Sequence, residues 1–281
     1  MSAPKISIIT PSFNQGMYLE ETILSIIGQN YPNLEYIIID GGSTDNSVEI
    51  IKKYEKHLAY WVSEKDKGQS DAINKGFKKA TGEIVCWLNS DDILVENALL
   101  NVANFFSENP DMDVVNGNLI LIDKSSNILS GYFILKQKNW YAKRGIYYIS
   151  QPSMFWKRRV IDSIGLLRED LHTQMDKEFL IRIFENNFKI GRLEKILAGF
   201  RIHIDSKGAL GAGSEINVRD VSKLEKLYSQ RYVQRPNLLF QSIYGLEKLF
   251  KGLYLRKYLF DLKWKGKNVK DLKYNSSSHL K

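Results

Sequence analysis

Two adjacent carboxylates, Asp91 and Asp92, close the stretch Trp87-Leu88-Asn89-Ser90-Asp91-Asp92, directly after the apolar run EIVCWL (Glu83 to Leu88). Paired acids at the end of a buried strand are costly unless their charge is offset. A divalent cation offsets it: Mg²⁺ or Mn²⁺ takes carboxylate oxygens on one side and substrate phosphate oxygens on the other. The plainer reading is that one of the acids caps a helix beginning near Leu94. Two further polar stretches follow apolar runs, Thr10-Pro11-Ser12-Phe13-Asn14 and Asp40-Gly41-Gly42-Ser43-Thr44-Asp45. Neither has the GxGxxG spacing of a dinucleotide fingerprint or the GxxxxGK[ST] of a phosphate-binding loop. A hydroxyl, an aromatic ring and an acid at neighbouring strand ends can hold a ribose and a base. An ordinary turn into a capped helix at Gly41-Gly42-Ser43 is compatible with that role.

The elements that must position these residues alternate between two periods. Ile6 to Thr10, Leu34 to Asp40, Tyr60 to Ser63 and Glu83 to Leu88 read as strands. Between them, Leu19, Ile23, Ile26 and Ile27 recur at helical spacing, Ser43 or Asp45 can cap a helix from Asn46 to Lys56, and Ile73, Phe77 and Ala80 form another apolar stripe. This alternation predicts an α/β fold with a mainly parallel sheet covered on both faces, with ligands bound at the carboxyl ends of the strands. Downstream, Val114 to Ile122, Tyr132 to Leu135 and Ile190 to Ile202 read as strands and Gln174 to Asn187 as a helix. Ser206 to Ser214 reads as a flexible loop or boundary, and the helices that follow break around Arg235-Pro236.

The 281 residues suffice for one large α/β domain or two small ones. Cys86 is the single cysteine, which excludes an internal disulfide framework and fits a reducing, cytoplasmic compartment. The first residues run straight into a strand pattern, so no signal peptide is expected, and no apolar stretch approaches the roughly 20 residues of a membrane span. The net charge of +8 is concentrated in the tail: residues 231–281 carry +9 and the remainder −1.

Taken together, ISIITPSFN, IIIDGGSTDNS, SEKDKGQSDAINKGFKKATGEIVCWLNSDD and QMDKEF resemble glycosyltransferase family 2, the large group of inverting enzymes with the GT-A fold. The resemblance covers roughly residues 4 to 205. It implies that Thr10, Pro11, Ser12 and Phe13, with the adjoining Asn14, meet the nucleoside of a nucleotide-sugar donor. Asp40 matches the acid that contacts the base or ribose. Many relatives carry a second acid next to it, where this chain has Gly41. Asp66, Asp71 and Asn74 fall in the segment that lines the donor site. Asn89-Ser90-Asp91 stands in place of the family's DxD motif, its first acid replaced by asparagine. Asp91 or Asp92 is then the expected ligand for Mn²⁺ or Mg²⁺. Asp176 matches the acid that serves as catalytic base. Its rival Glu178, at i+2 on the same helix, faces away from it, so both cannot serve. His203 either completes the metal shell or is a polar strand-end histidine. Gln151 and Trp156, with Pro152 and Ser153, are expected to border the acceptor site, and Ser206 and Lys207 could close over the diphosphate as a lid.

The resemblance thus implies an inverting, metal-dependent transfer from a nucleotide-diphosphate sugar, with UDP the expected nucleotide. The acceptor would be a hydroxyl of a glycan or polyprenyl-diphosphate-linked molecule in cell-surface polysaccharide synthesis. Residues 1–215 would form the GT-A domain and 216–281 a basic helical extension. In the extension, Leu246, Leu249, Phe250, Leu253 and Tyr254 recur at helical spacing among Lys248, Lys251, Arg256 and Lys257. That pattern fits a peripheral anchor on the membrane, or a stripe packed on the catalytic domain or a second subunit. A sugar-phosphate nucleotidyltransferase shares the broad fold and metal chemistry, but PSFNQG lacks the glycine-rich, lysine- and arginine-bearing first loop of such enzymes. A nucleic-acid-binding protein would explain the tail but not the placed carboxylates, and no nucleic-acid partner is expected.

Overall fold

The computed structural model describes residues 3–147, 150–204, 213–228 and 238–272. Ser206 and Lys207, the Arg235-Pro236 break and the polar terminus lie outside the described residues. The N-terminal half runs β1 (Ile6–Ser12), α1 (Gly16–Ile27), β2 (Leu34–Asp40), α2 (Ser47–Lys53), β3 (Tyr60–Ser63), α3 (Gln69–Lys79) and β4 (Ile84–Trp87). These four strands are parallel, in the spatial order β3-β2-β1-β4. Right-handed crossovers then place α1 and α2 on one face and α3 on the other. Every residue of β1 is buried, as a strand covered on both faces requires. The order reverses between β1 and β4, and the crevice beyond their carboxyl ends is where such sheets hold ligands.

Beyond β4 the sheet becomes mixed. β5 (Ile93–Leu94), α4 (Ala98–Glu108), β6 (Val114–Ile122), β7 (Ile128–Tyr132) and α5 (Asn139–Ala142) lead into β8 (Met154–Lys157), α6 (Arg158–Ile164), α7 (Met175–Glu185) and β9 (Ile190–Arg201). The nine strands form one sheet in the order β3-β2-β1-β4-β8-β6-β9-β5, with β7 also paired to β6. β8 runs antiparallel between β4 and β6 and so carries the sheet across to its second half. The residues expected at the acceptor site, from Gln151 to Trp156, in fact lead into and form this central strand. The expected strand at Tyr132 to Leu135 is displaced: β7 ends at Tyr132, and the Ile134 N–H donates to Asn118 Oδ1 at 3.1 Å. The helix expected from Asn46 to Lys56 is α2 followed by a separate 3-10 turn at Glu55–His57.

Among the described residues, α8 (Glu215–Leu227), α9 (Leu238–Phe250) and α10 (Leu253–Trp264) follow. Leu224 of α8 is buried in the main core. Tyr244, Leu253, Val269 and Leu272 join Ile93, Ile120, Ile122, Ile128 and Phe133 in a second apolar cluster. Gly252, at φ +66, separates α9 from α10, so the tail stripe is split between two helices and Leu253 is buried rather than presented. Among the described residues, no helix is long and apolar enough to cross a membrane.

Candidate active site at the carboxyl edge of the sheet

The chain leaving β4 turns sharply at Asn89–Asp92 and enters β5, not a helix. α4 begins only at Ala98, so neither acid caps a helix near Leu94. Buried Thr22 of α1 holds this turn, its hydroxyl shared between the Ser90 and Asp92 carbonyls at 2.8 and 2.7 Å. The two acids then diverge. Asp92 is buried, and its Oδ1 accepts the Arg201 N–H at 3.0 Å. Burial, and then the charge of Asp91, push its carboxyl well above the ordinary range. Asp91 stays partly open, and its Oδ2 lies 3.0 Å from His203 Nε2. Asp91 and His203 are therefore the two sequence-predicted metal ligands brought together, whereas Asp92 ties the turn to β9. Adjacent oxygen and imidazole donors suit Mn²⁺ and leave the remaining positions to donor oxygens. Among the described residues, no group of three His, Cys, Asp or Glu side chains encloses a cation.

Arg201 escaped the sequence reading. It is fully buried and donates to the Asp91 carbonyl (2.8 Å), the Asp123 carbonyl (3.0 Å) and Ser126 Oγ (2.9 Å). It pairs with Glu21 at 2.7 Å and stacks over the Tyr18 ring. His203 packs on the same ring, centroids 4.8 Å apart. The available signal was the i, i+2 spacing of Arg201 and His203, which places both on one side of the chain leaving β9.

At the end of β1, Thr10, Pro11 and Ser12 are buried, with Thr10 Oγ1 accepting from Tyr36 at 3.2 Å. Phe13 stands 58% exposed at the switch point, available for stacking. Asn14, at φ +50, bridges to the neighbouring loop: its N–H donates to Ser43 Oγ and its Oδ1 accepts the Thr44 N–H, both at 2.8 Å. Asp40 is fully buried. Its carboxylate accepts from the Gly42 and Ser43 N–H groups and from the Ser43 and Ser63 hydroxyls. Four internal donors make it the organiser of this loop and leave it without the free oxygen expected of a nucleoside contact.

Gly41 is explained by space rather than by backbone angle. A Cβ built on it would lie 2.5 Å from Asp66 Oδ2 and 3.0 Å from its Cγ, so the Asp66 carboxylate occupies the volume of a side chain at 41. Asp66 Oδ1 accepts the Gly68 N–H at 2.8 Å, and among the described residues no hydrogen-bond donor reaches Oδ2. Asp71, in the first turn of α3, accepts the N–H of Lys67 in the preceding loop (3.0 Å) and pairs with Lys75. Asn74, expected to line the donor site, is buried and clamps the Leu167 backbone through both ends of its amide, each at 2.9 Å.

Asp176 lies in the first turn of α7. Ser70 Oγ at the start of α3 contacts Met175 Sδ at 2.8 Å, and Gln69 donates to Asn89 Oδ1 at 2.7 Å. The Asp176 end of α7, the start of α3 and the Asn89–Asp92 turn thus form one continuous wall. Asp176 is exposed to solvent, yet the surrounding protein desolvates it and raises its carboxyl above the ordinary range, opposed by the Lys177 N–H at 2.7 Å. Glu178 is buried and bound by Arg182 (2.8 Å) and the Tyr228 hydroxyl (2.6 Å), a structural cross-link.

Gln151 donates to the Trp87 carbonyl at 2.5 Å, beneath the turn. Trp156 corrects the acceptor expectation: it is fully buried, with ring centroids 5.2 Å from Trp87, 5.3 Å from Phe179 and 6.1 Å from Phe77. It is core because β8 lies inside the sheet.

Comparison with known proteins agrees with this architecture. The model of glycosyl transferase family 2 matches residues 7–165. A PGL/p-HBAD biosynthesis glycosyltransferase of Mycobacterium tuberculosis is 32% identical over 191 residues, 66% of this chain and 72% of that protein. An uncharacterized glycosyltransferase of Haemophilus influenzae is 37% identical over 130 residues, 45% of this chain; the match spans only 52% of that protein. Among solved structures, S. aureus TarS 1-349 in complex with UDP-GlcNAc superposes with a TM-score of 0.61 at 21% identity, covering 78% of this chain and 65% of that one. The mannosyltransferase PcManGT from Pyrobaculum calidifontis, in complex with GDP-Man and Mn²⁺, gives 0.59 at 18% identity, covering 88% and 70%. The fold is GT-A, and the chain belongs to glycosyltransferase family 2.

Proposed function

We propose that the protein transfers a sugar from a nucleotide-diphosphate donor, with UDP the nucleotide, to a hydroxyl of a glycan or lipid-linked acceptor on the cytoplasmic side, inverting the anomeric centre. The observation that carries this reading is the shared wall described above. It joins the Asp176 end of α7 to the turn that bears Asp91, which His203 meets from the end of β9, at the switch point where Phe13 is exposed. Phe13 stacks on the nucleoside and Asp66 Oδ2 accepts from the base. Asp91 and His203 would hold Mn²⁺ or Mg²⁺, which when bound neutralises charge on the donor diphosphate. Asp176 takes the proton from the acceptor hydroxyl as its oxygen bonds to the anomeric carbon. The bond from that carbon to the diphosphate oxygen breaks, and the nucleoside diphosphate leaves with the electron pair.

A base with a raised pKa must lose its proton to act, so transfer should decline on the acid side through that elevated value. Asp176→Asn is expected to lose transfer by about 10²-fold or more while binding donor normally. It should also unfold at the same or a higher temperature, because removing a desolvated charge relieves the native state. Retained transfer would refute the assignment. Mn²⁺ binding followed by electron paramagnetic resonance checks the cation site directly: Asp91→Asn and His203→Ala should each weaken it, and unchanged binding would move the site elsewhere.

A further inference from the structure

α9 and α10 each turn one face to the body of the protein and leave the other uncovered. Tyr244 and Leu253 are buried in the second cluster, and Phe260 packs edge-on against Phe133. On the opposite faces, Leu239, Leu246 and Phe250 of α9 and Leu255, Leu259 and Leu262 of α10 are exposed, Phe250 to 83%. The spacing i, i+7, i+11 on α9 and i, i+4, i+7 on α10 makes each set a continuous stripe. Apolar surface on this scale in a folded protein marks a partner.

The charges identify the partner. The acids of these two helices are turned inward and consumed there. Glu247 pairs with Lys138 and accepts from the Tyr141 hydroxyl, and Asp261 accepts the Gly131 N–H at 2.8 Å and the Ser130 hydroxyl. Lys257 pairs with Asp261 and Arg256 with Glu194, whereas Lys251 and Lys263, with Lys265 and Lys267 just beyond α10, are exposed. Inward acids combined with outward lysines and leucines leave a face that is apolar at its centre and positive at its rim. Pairing two copies through that face would bring the two lysine rims together. An anionic bilayer satisfies both parts at once, headgroup phosphates meeting the lysines while the leucines enter the acyl boundary.

We propose that the outer faces of α9 and α10 form a rigid docking surface for an anionic lipid bilayer. It is held to the catalytic body by the second apolar cluster rather than trailing as a flexible tail. The test is flotation of the full chain with vesicles of phosphatidylcholine containing about 30 mol% phosphatidylglycerol, against phosphatidylcholine alone. The wild type should float with the anionic vesicles only, and less at high salt. Leu255→Ser/Leu259→Ser/Leu262→Ser and, separately, Lys263→Glu/Lys265→Glu should each reduce the bound fraction about tenfold or more, with the melting temperature and donor binding unchanged. Absence of flotation by the wild type, or equal flotation by both variants, overturns the proposal. A wild type that sediments as a dimer, ignores vesicles and becomes monomeric in the leucine variant would assign the face to a second copy instead.

Discussion

Asp66 and Gly41 form a pair in which one residue supplies what the other has given up. The space for a side chain at position 41 is filled by a carboxylate arriving from the loop after β3, with Oδ2 uncommitted and Oδ1 anchored to the Gly68 N–H. Many relatives carry an acid where this chain has Gly41, and the geometry points to Asp66 as its replacement. Three outcomes are expected. Asp66→Ala should weaken donor binding by about 10- to 100-fold, the loss of one hydrogen bond to a charged group, with little change in melting temperature. Gly41→Asp alone should be worse, because its Cβ collides with a carboxylate. Gly41→Asp with Asp66→Gly should recover much of the binding. Isothermal titration of nucleotide across the cycle measures the coupling, and strictly additive losses would contradict it.

At the scale of elements, the parallel sheet is pinned at the end away from the site by Glu35. Its carboxylate accepts from Ser7 (2.5 Å), the Thr81 N–H (2.6 Å) and the Thr81 hydroxyl (2.6 Å) and pairs with Lys5 (2.6 Å), joining β1, β2 and the turn into β4. Burial alone would raise its pKa, but the hydrogen bonds from Lys5, Ser7 and Thr81 outweigh it and hold the group at about 2. A folded-state value below the ordinary 4.5 means that the stabilisation is fully present above pH 4.5 and is lost as pH falls from there toward 2. Glu35→Gln should therefore cost about 1–3 kcal/mol at pH 7 and flatten the acid dependence of stability over that window, as urea unfolding at several pH values would show. A variant that keeps the full acid slope would place the linkage in other carboxylates. Arg201 does at the opposite end what Glu35 does here: one buried ion ties α1, the Asn89–Asp92 turn and the loop after β6 into a single unit.

Across the whole molecule, the second apolar cluster joins strands β5, β6 and β7 to α9, α10 and the turn beyond them, so the basic C-terminal region shares its core with the sheet. Leu253→Ala, which opens a cavity in that cluster, is expected to destabilise the protein by about 2–4 kcal/mol and to preserve one cooperative unfolding transition. Two separated transitions would show instead that the C-terminal helices fold as their own unit. The outward faces of those helices respond to different changes, since Leu255, Leu259 and Leu262 touch solvent and their replacement should leave stability within about 0.5 kcal/mol.

Local pattern was enough for the first half of the fold. Apolar runs ending in polar residues located β1, β2 and β4, because a strand buried on both faces must be continuously hydrophobic and its ligand-facing end must not be. The same pattern marked the Asn89–Asp92 turn and Phe13, while Asp176 on α7 was singled out by the family resemblance. What pattern could not convey was partnership between distant segments. That Trp156 is core follows from β8 inserting between β4 and β6, a pairing across some 70 residues of chain. Asp40 is spent internally, Asn74 clamps a backbone 93 residues away, Glu178 is locked by Arg182 and Tyr228, and Asp91 rather than Asp92 faces His203. Each of these carboxylates and amides has the same intrinsic chemistry. Only packing decides which of them keeps an unsatisfied oxygen facing the crevice and which gives all its hydrogen-bonding capacity to the fold.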